Sequence, residues 1–471
     1  MSQRAPILIV GLGISGLAAA RFLRGKGLAV AVSDHRPTAD LNGKMKELWS
    51  LGVEEIETGG HTEEFFVNRE TIVVSPGVPL QLSVLDAARQ QGIEIIGEVE
   101  LASRWSRIPW LALTGTNGKT TTVTLLGEIF TAAGRRPFVV GNLGRPAVEM
   151  LAREHGCAIL ELSSFQLESI KSFHPVVAMI LNLTADHQDR YPDFESYLAA
   201  KTAISRNQNR QDYLLLNLDD PHLAAHGRAM GARRAAGDNL PAVLWFSVKR
   251  EVSAGGSWLG SRVSYDLPTA NGGRIQGEFQ APALKLPGPH NRSNALAALL
   301  AARLEGIEEE VIVRCLENFN GIPHRLEYLG ARDQVLFYND SKATNIDAVI
   351  KAVESFDRPL LLLLGGYDKG ANFNCLNPLA AHFRELIPFG SAASEISRQL
   401  PELTCGFQAA GLREALERAL ERAQAGDVVL LAPGCASFDE FSNYRERGDC
   451  FRSLVREAGA ILADRENRQC I

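Results

Sequence analysis

One short run limits this chain more than any other: Thr114-Gly115-Thr116-Asn117-Gly118-Lys119-Thr120, followed by Thr121 and Thr122. It comes after an apolar run, Ile108-Pro109-Trp110-Leu111-Ala112-Leu113, and leads into Val123-Thr124-Leu125-Leu126, which can begin a helix. A strand, a tight glycine turn and a helix N-terminus form the geometry that cradles a phosphate chain. The glycines let backbone N–H groups close on phosphate oxygens. Lys119 supplies a point charge, and the Thr120 hydroxyl suits Mg²⁺. The usual phosphate loop has its first glycine at the place where Leu113 stands, so the pattern here is a narrower one.

Around that loop the chain reads as alternating strands and helices. Pro6–Val10 is a buried strand, Gly11-Leu12-Gly13-Ile14-Ser15-Gly16 its turn, and Leu17–Gly25 a helix. Leu28–Asp34 and Thr71–Val74 are further strands. Ala158–Leu162, Val176–Asn182 and Tyr213–Asn217 follow in the middle, then a Gly-rich stretch over 253–280 expected to form a small β excursion, and a helix over Asn291–Leu304. The last third holds strands at Gln334–Asp340, Pro359–Leu364 and Val428–Leu431, the last two running into Gly or Pro turns. Continuous apolar strands separated by helices imply parallel sheets covered on both faces. At 471 residues several cores are needed, about three on size alone. The expected architecture is α/β in three domains: a Rossmann-like N-terminal domain over 1–97, a central P-loop-type ATPase domain over 98–321, and a Rossmann-like C-terminal domain over 322–471.

Composition excludes several classes. A net charge of −6 argues against nucleic-acid binding. No apolar run approaches the roughly 20 residues needed to span a bilayer. Residues Met1–Pro6 run straight into a strand, which predicts no signal peptide. The seven cysteines, at 157, 315, 375, 405, 435, 450 and 470, include no C-x-x-C pair and read as reduced thiols of a cytoplasmic protein.

The first turn, Gly11-x-Gly13-x-x-Gly16 with Asp34 ending the next strand, has the spacing of a dinucleotide fingerprint. Its physics requires a diphosphate and a ribose, not a nicotinamide. NAD, another nucleotide diphosphate such as UDP, and no ligand all remain open, although an NAD-dependent oxidoreductase would leave the second loop unexplained. In the middle domain Glu161 ends a strand, where an acidic residue can serve Mg²⁺, and His187 follows another. Lys201, in Tyr197-Leu198-Ala199-Ala200-Lys201, reads by itself as a solvated helical charge.

Several motifs together carry a resemblance. They are Thr114–Thr120, Glu161, His187, Gly288-Pro289-His290-Asn291-Arg292-Ser293-Asn294-Ala295 and Gly321-Ile322-Pro323-His324-Arg325-Leu326-Glu327. In this order they resemble the Mur ligase family of peptidoglycan-building enzymes. Three more runs resemble its D-glutamate-adding members: Glu161-Leu162-Ser163-Ser164-Phe165-Gln166-Leu167-Glu168, Asp340-Ser341-Lys342-Ala343-Thr344-Asn345, and Ala436-Ser437-Phe438-Asp439 with Phe441 and Tyr444.

The resemblance implies an ATP-dependent amide ligase of peptidoglycan precursor synthesis, expected as a monomer, with UDP-N-acetylmuramoyl-L-alanine and D-glutamate as substrates. By the same resemblance ATP is held by Gly115, Thr116, Asn117, Gly118, Lys119, Thr120 and Thr121, with Asn291, Asn294, Arg325, Asp340 and Lys342. Two Mg²⁺ sites draw on Thr120, Glu161, His187 and Lys201, the last as a carbamate, which reverses the bare reading of that lysine. Ile14, Ser15, Asp34, Arg36, Ser75 and Gly77 hold the uridine nucleotide, and Asn142 the sugar-peptide arm. Lys369, Ser437 and Tyr444 hold D-glutamate. Lys119, His187, Lys201 and Arg325 are the catalytic set. Two departures stand out: Tyr444 where Phe is frequent, and Gly366-Tyr367-Asp368-Lys369 in place of a Gly-Asp-Gly-Lys form.

Overall fold

The central strands near the N-terminus are mostly apolar, and the reason is that both faces of the first sheet are covered there. In the computed structural model, residues 5–141, 144–184, 191–269, 272–368 and 370–462 are described. The first sheet holds β1 (Ile7–Val10), β2 (Val30–Asp34), β3 (Glu55–Thr58), β4 (Thr71–Val74) and β5 (Glu94–Gly97), in the order β3-β2-β1-β4-β5 and all parallel. Ile9, Val32, Val73 and Ile96 face one apolar cluster, while Leu8, Val10, Ala31, Ile72 and Val74 face another. A strand buried on both faces has no reason to alternate polar and apolar residues.

The second sheet has nine strands: β6 (Trp110–Thr114), β7 (Pro137–Gly141), β8 (Cys157–Glu161), β9 (Val177–Ile180), β10 (Tyr213–Asn217), β11 (Ala242–Ser247), β12 (Gly255–Leu259), β13 (Arg262–Pro268) and β14 (Arg274–Gln280). The order is β14-β13-β12-β11-β10-β9-β6-β8-β7. The pairings from β7 to β12 are parallel, and β12-β13-β14 is an antiparallel meander. The Gly-rich 253–280 stretch is therefore three strands that extend the sheet. Its outermost strand alternates half-buried and exposed residues, as a one-sided edge does.

The third sheet contains β15 (Glu327–Arg332), β16 (Val335–Asn339), β17 (Leu360–Gly365), β18 (Phe383–Phe389), β19 (Val428–Gly434) and β20 (Ile461–Leu462), in the order β18-β17-β19-β16-β15-β20. Its central strands are parallel and β15 is antiparallel to both neighbours. Two compact units contain these sheets. Residues 1–281 with 293–312 form one, carrying the first and second sheets; 282–292 with 313–471 form the other, carrying the third.

Several boundaries shift by a few residues from the sequence reading, two of them around the first turn. The first helix spans Ile14–Gly25, not Leu17–Gly25, because Gly13 serves as its N-cap in extended conformation. Gly16 thus lies inside the helix, where a Cβ would collide with the Gly11 carbonyl. The next strand begins at Val30, two residues later than expected.

Candidate active site

The first glycine turn is closed by its own side chains. Gly11 has φ +88°, and the Ser75 hydroxyl donates to the Gly11 carbonyl at 2.7 Å. Asp34, 1 % exposed, accepts from the Leu12 amide at 2.6 Å through Oδ2 and from the Arg36 amide at 2.9 Å through Oδ1. The Arg36 guanidinium forks onto both oxygens, at 2.9 and 2.7 Å. Burial opposes ionisation here, but the Arg36 guanidinium and the two amides outweigh it and hold the Asp34 carboxyl well below the usual carboxylate range. Ile14 stands 64 % exposed at the N-terminus of helix Ile14–Gly25, and Gly77 is exposed as well. The turn therefore offers an apolar face beside a rigid ring of backbone groups.

The second turn is built differently. Gly115 has φ +154°, and Gly118, with φ +83°, is the N-cap of helix Lys119–Ala132. A Cβ on Gly118 would also strike Asn294 Oδ1, so both backbone angle and space require glycine. The first-turn amides of this helix have no intrahelical acceptor and point toward the loop's mouth. Asn182 clamps the loop from the end of β9: its carbonyl accepts from the Thr116 amide at 2.9 Å, its Oδ1 from the Asn117 amide at 2.8 Å, and its Nδ2 donates to the Asn117 carbonyl at 3.0 Å. The sequence reading had Asn182 only as the end of a strand.

Positive charge converges on this loop. Lys119 Nζ donates to the carbonyls of Gly115 and Thr116, both at 2.9 Å. Lys201 Nζ donates to the same Gly115 carbonyl at 2.9 Å and to Thr114 Oγ1 at 3.4 Å. Lys201 is 2 % exposed and lies 4.9 Å from the Tyr197 ring centroid, and the Tyr197 hydroxyl is 3.1 Å from Thr116 Oγ1. The bare reading of Lys201 as a solvated charge is thus overturned: helix Phe194–Thr202 turns it inward onto the phosphate loop.

Register brings an acid to the same place. β6 and β8 pair with Leu113 opposite Glu161, so Glu161 ends its strand beside the loop. Glu161 is 1 % exposed, and its Oε2 has no hydrogen-bond partner among the described residues. A buried carboxylate oxygen without a donor is costly unless a cation meets it. Thr120 is nearly buried in the first helical turn. A buried carboxylate oxygen and a hydroxyl beside a phosphate loop are the hard oxygen donors that Mg²⁺ prefers, so these residues fit the ion. The Leu162–Leu167 run serves the backbone, because Ser163 and Gln166 form a capping box on helix Ser164–Leu167.

In the second unit, Asp340, Ser341 and Lys342 follow β16, and Cys435, Ala436 and Ser437 follow β19. Arg447, fully buried, joins the two loops. It donates to Ser341 Oγ at 3.0 Å, the Ser341 carbonyl at 3.0 Å, the Ala436 carbonyl at 3.0 Å and the Cys435 carbonyl at 3.1 Å. Burial pushes its guanidinium down to about 10. Sequence reading missed Arg447, since an arginine in a charged helix carries no outward mark. Burial also pushes the Asp340 carboxyl up to about 7, against the Leu326 amide and the Arg325 charge. Lys342 Nζ lies 4.2 Å above the Tyr444 ring, and Ser437 is buried. Arg325 is exposed, and the Asn291 side-chain amide donates to the Pro287 carbonyl at 2.7 Å. Three expected site residues, Asn142, His187 and Lys369, lie outside the described residues.

Comparison with known proteins decides the family. The Mur ligase MurD-like N-terminal domain matches residues 5–97, the Mur ligase middle domain 113–302, and the Mur ligase glutamate ligase domain 324–435. The chain is 40 % identical over 459 residues to a UDP-N-acetylmuramoylalanine–D-glutamate ligase of Geotalea uraniireducens, covering 96 % of this chain and 97 % of the relative. It is 42 % identical over 452 residues to the enzyme of that name from Acidobacterium capsulatum, covering 95 % of each. The chain belongs to the Mur ligase family. Solved ligase structures share this chain's fold at lower identity. A UDP-N-acetylmuramate–alanine ligase from Thermotoga maritima is 19 % identical with a TM-score of 0.52, covering 96 % of this chain and 100 % of that one. A pseudomurein peptide ligase type C from Methanothermus fervidus is 20 % identical with a TM-score of 0.53, at the same coverage. This Mur ligase thus has the three family domains and parallel α/β sheets expected from its sequence. No helix among its described residues is long and apolar enough to cross a membrane.

Proposed function

We propose that this Mur ligase adds D-glutamate to UDP-N-acetylmuramoyl-L-alanine in peptidoglycan precursor synthesis, converting ATP to ADP and phosphate. The observation that carries the reading is the buried Glu161 oxygen without a hydrogen-bond partner among the described residues, beside a loop that gathers two lysines on one carbonyl. The full-length relatives supply the substrate assignment. The reading keeps domain boundaries at 97/98 and 321/322, and a monomeric, cytoplasmic enzyme.

The substrate carboxylate attacks the γ-phosphorus, forming an acyl phosphate and releasing ADP. The neutral D-glutamate amine then attacks the acyl carbon, its nitrogen gives up a proton, and the tetrahedral intermediate expels phosphate to leave the amide. Two anions must meet in the first step, so cation density is the main requirement. Lys119 swings from the loop carbonyls to the phosphates, and the first-turn amides of helix Lys119–Ala132 hold their oxygens. Arg325 and Lys342, with Asn291, Asn294 and Asp340, are assigned to ATP. Thr120, Glu161, His187 and Lys201 would hold Mg²⁺ at two sites. Bound Mg²⁺ neutralises phosphate charge and polarises the transferred group. Lys201 would first give up the ammonium proton, and the neutral amine would add CO₂ and release a second proton to become a carbamate, turning a cation into an anionic oxygen ligand. Ile14, Ser15, Asp34, Arg36, Ser75 and Gly77 serve the uridine nucleotide: Ile14 offers an apolar face, and Asp34 and Arg36 fix the turn. Asn142 serves the sugar-peptide arm, and Lys369, Ser437 and Tyr444 the amino acid, where an ammonium and hydroxyls suit two carboxylates.

Phosphate release from ATP, assayed with amino acids one at a time, tests the reading. Release should require both UDP-N-acetylmuramoyl-L-alanine and D-glutamate. Faster release with L-alanine, a diamino acid or D-alanyl-D-alanine would transfer the enzyme to another branch of the family.

A further inference from the structure

A cavity lies away from the mouths of both glycine turns. It has a volume of about 530 Å³ and opens between helix Ile14–Gly25 on one side and Phe138 with residues from Arg145 to His155 on the other. That volume is within the usual range for a small-molecule site, roughly 300–1,000 Å³. All its residues belong to one compact unit. Its floor is apolar and tightly packed: Ala18, Phe138 and Val148 are 4 %, 1 % and 2 % exposed. Half-buried Phe22 and Leu151 form walls.

The rim has the opposite character. Arg21, Lys26, Arg145 and Arg153 surround the opening, with Glu149 the one carboxylate among the lining residues. Arg21 is engaged by Glu47, and Arg145 Nε lies 3.6 Å from Glu149. Among the described residues, neither Lys26 nor Arg153 has a carboxylate within ion-pair distance. Lys26 Nζ lies instead 5.5 Å from the Phe22 ring centroid, and the Arg145 guanidinium is 4.1 Å from that of Phe138. His155 packs on Phe138 at 4.7 Å. Its imidazole is held below the usual histidine range, first by burial and then by Arg145, Arg153 and Arg136, so the local field is positive. In a chain of net charge −6, a positive rim over an aromatic floor is not an average surface.

We propose that this cavity binds a small organic anion, a flat apolar body carrying a carboxylate or phosphate group. The body lies against Phe22, Phe138 and Leu151, and the anionic group meets Lys26 and Arg153. The site is separate from the nucleotide end of the same helix. Ile14 and Ser15 sit at its N-terminus, whereas Gly25 and Lys26 are at the other end, about 15 Å along the axis. A ligand here touches both the first helix and the segment after β7, so it also ties the N-terminal and middle domains together.

Calorimetric titration of the full-length enzyme with naphthoate, naphthyl phosphate and uncharged naphthamide tests this. Saturable binding of at least one of the two anions, with naphthamide at least about tenfold weaker, is expected. Naphthoate alone would identify a carboxylate ligand, and naphthyl phosphate alone a phosphate one. The Lys26→Ser/Arg153→Ser double variant should weaken the bound anion about tenfold while ATP turnover stays within twofold, since neither residue has a part in the reaction. Equal binding of naphthamide, undiminished anion binding by the double variant, or no saturable binding of either anion would overturn the proposal.

Discussion

Two glycine turns in this chain share a strand-to-helix connection, but their polar groups meet different fates. Each joins a parallel strand to a helix, and each has an acidic residue at the end of the neighbouring parallel strand. Asp34, beside Gly11–Gly16, has both oxygens engaged by the Leu12 amide and by Arg36. Glu161, beside Gly115–Gly118, keeps an oxygen that no donor meets among the described residues. Around the first turn, charge is balanced inside the protein. Around the second, Lys119 and Lys201 lean on a shared carbonyl while a buried carboxylate waits for a cation. A saturated carboxylate builds shape, and an unsatisfied one creates demand for a ligand. In the proposed function the same local motif serves recognition in one place and chemistry in the other.

Substitutions can break this contrast. The largest effect is expected from Lys119→Ala, which should lower ATP-dependent phosphate release by about a thousandfold with an unchanged melting curve. Near-normal release would remove the second turn from the chemistry. Lys201→Ala should cost about a hundredfold, with partial rescue by short carboxylic acids that replace the carbamate oxygens. Failure of every such acid to restore activity would leave Lys201 a purely packed residue.

The two acids should separate cleanly in stability measurements. Asp34→Asn removes the acceptor of a forked guanidinium and should destabilise by about 2 kcal/mol in chemical denaturation. Glu161→Gln should change stability by less than about 0.5 kcal/mol, because no hydrogen bond of Oε2 is lost, yet slow turnover about a hundredfold. Equal destabilisation by both would erase the distinction.

Glu98 is an intermediate case. It is buried at the start of helix Glu98–Trp105 and accepts from the Val148 amide at 2.6 Å. Burial nonetheless pushes its carboxyl up from 4.5 to about 7, against the Val148 and Ala147 amides. A raised folded-state value means the folded protein holds the proton more tightly. The stabilisation is therefore complete below about pH 4.5 and is lost as pH rises through about 7. Wild type should lose on the order of 2 kcal/mol relative to Glu98→Gln between pH 5 and 8, read from paired denaturation curves. Parallel curves would show that the amides satisfy the charged form fully.

Much of the fold was legible because its signals are local. The phosphate loop needs a strand, two glycines and a lysine in a row, and all are consecutive from Trp110 to Lys119. Continuous apolar strands such as Ile7–Val10 and Leu360–Gly365 announce sheets covered on both faces. The Gly-rich 253–280 stretch was legible only as β, since pairing partners depend on where β11 lies. Lys201 was misread without the family motifs, because helix spacing alone does not say which face meets the loop. Asn182 and Arg447 went unnoticed for a related reason. Their partners are 65 and 106 residues away in the chain, and only folding makes those bonds.

By itself the sequence determined the α/β class, the two phosphate-type turns and, through its ordered motifs, membership of the Mur ligase family. Each of these depends on neighbours a few residues apart. Tertiary structure alone decided which acid is satisfied and which is not, that Lys119 and Lys201 share the Gly115 carbonyl, and that Arg447 ties two loops of the C-terminal sheet. It also brought the rings and cations of the second cavity together from segments more than a hundred residues apart. Hydrogen bonding and burial are set by strand register and packing, and those exist only once distant segments have met.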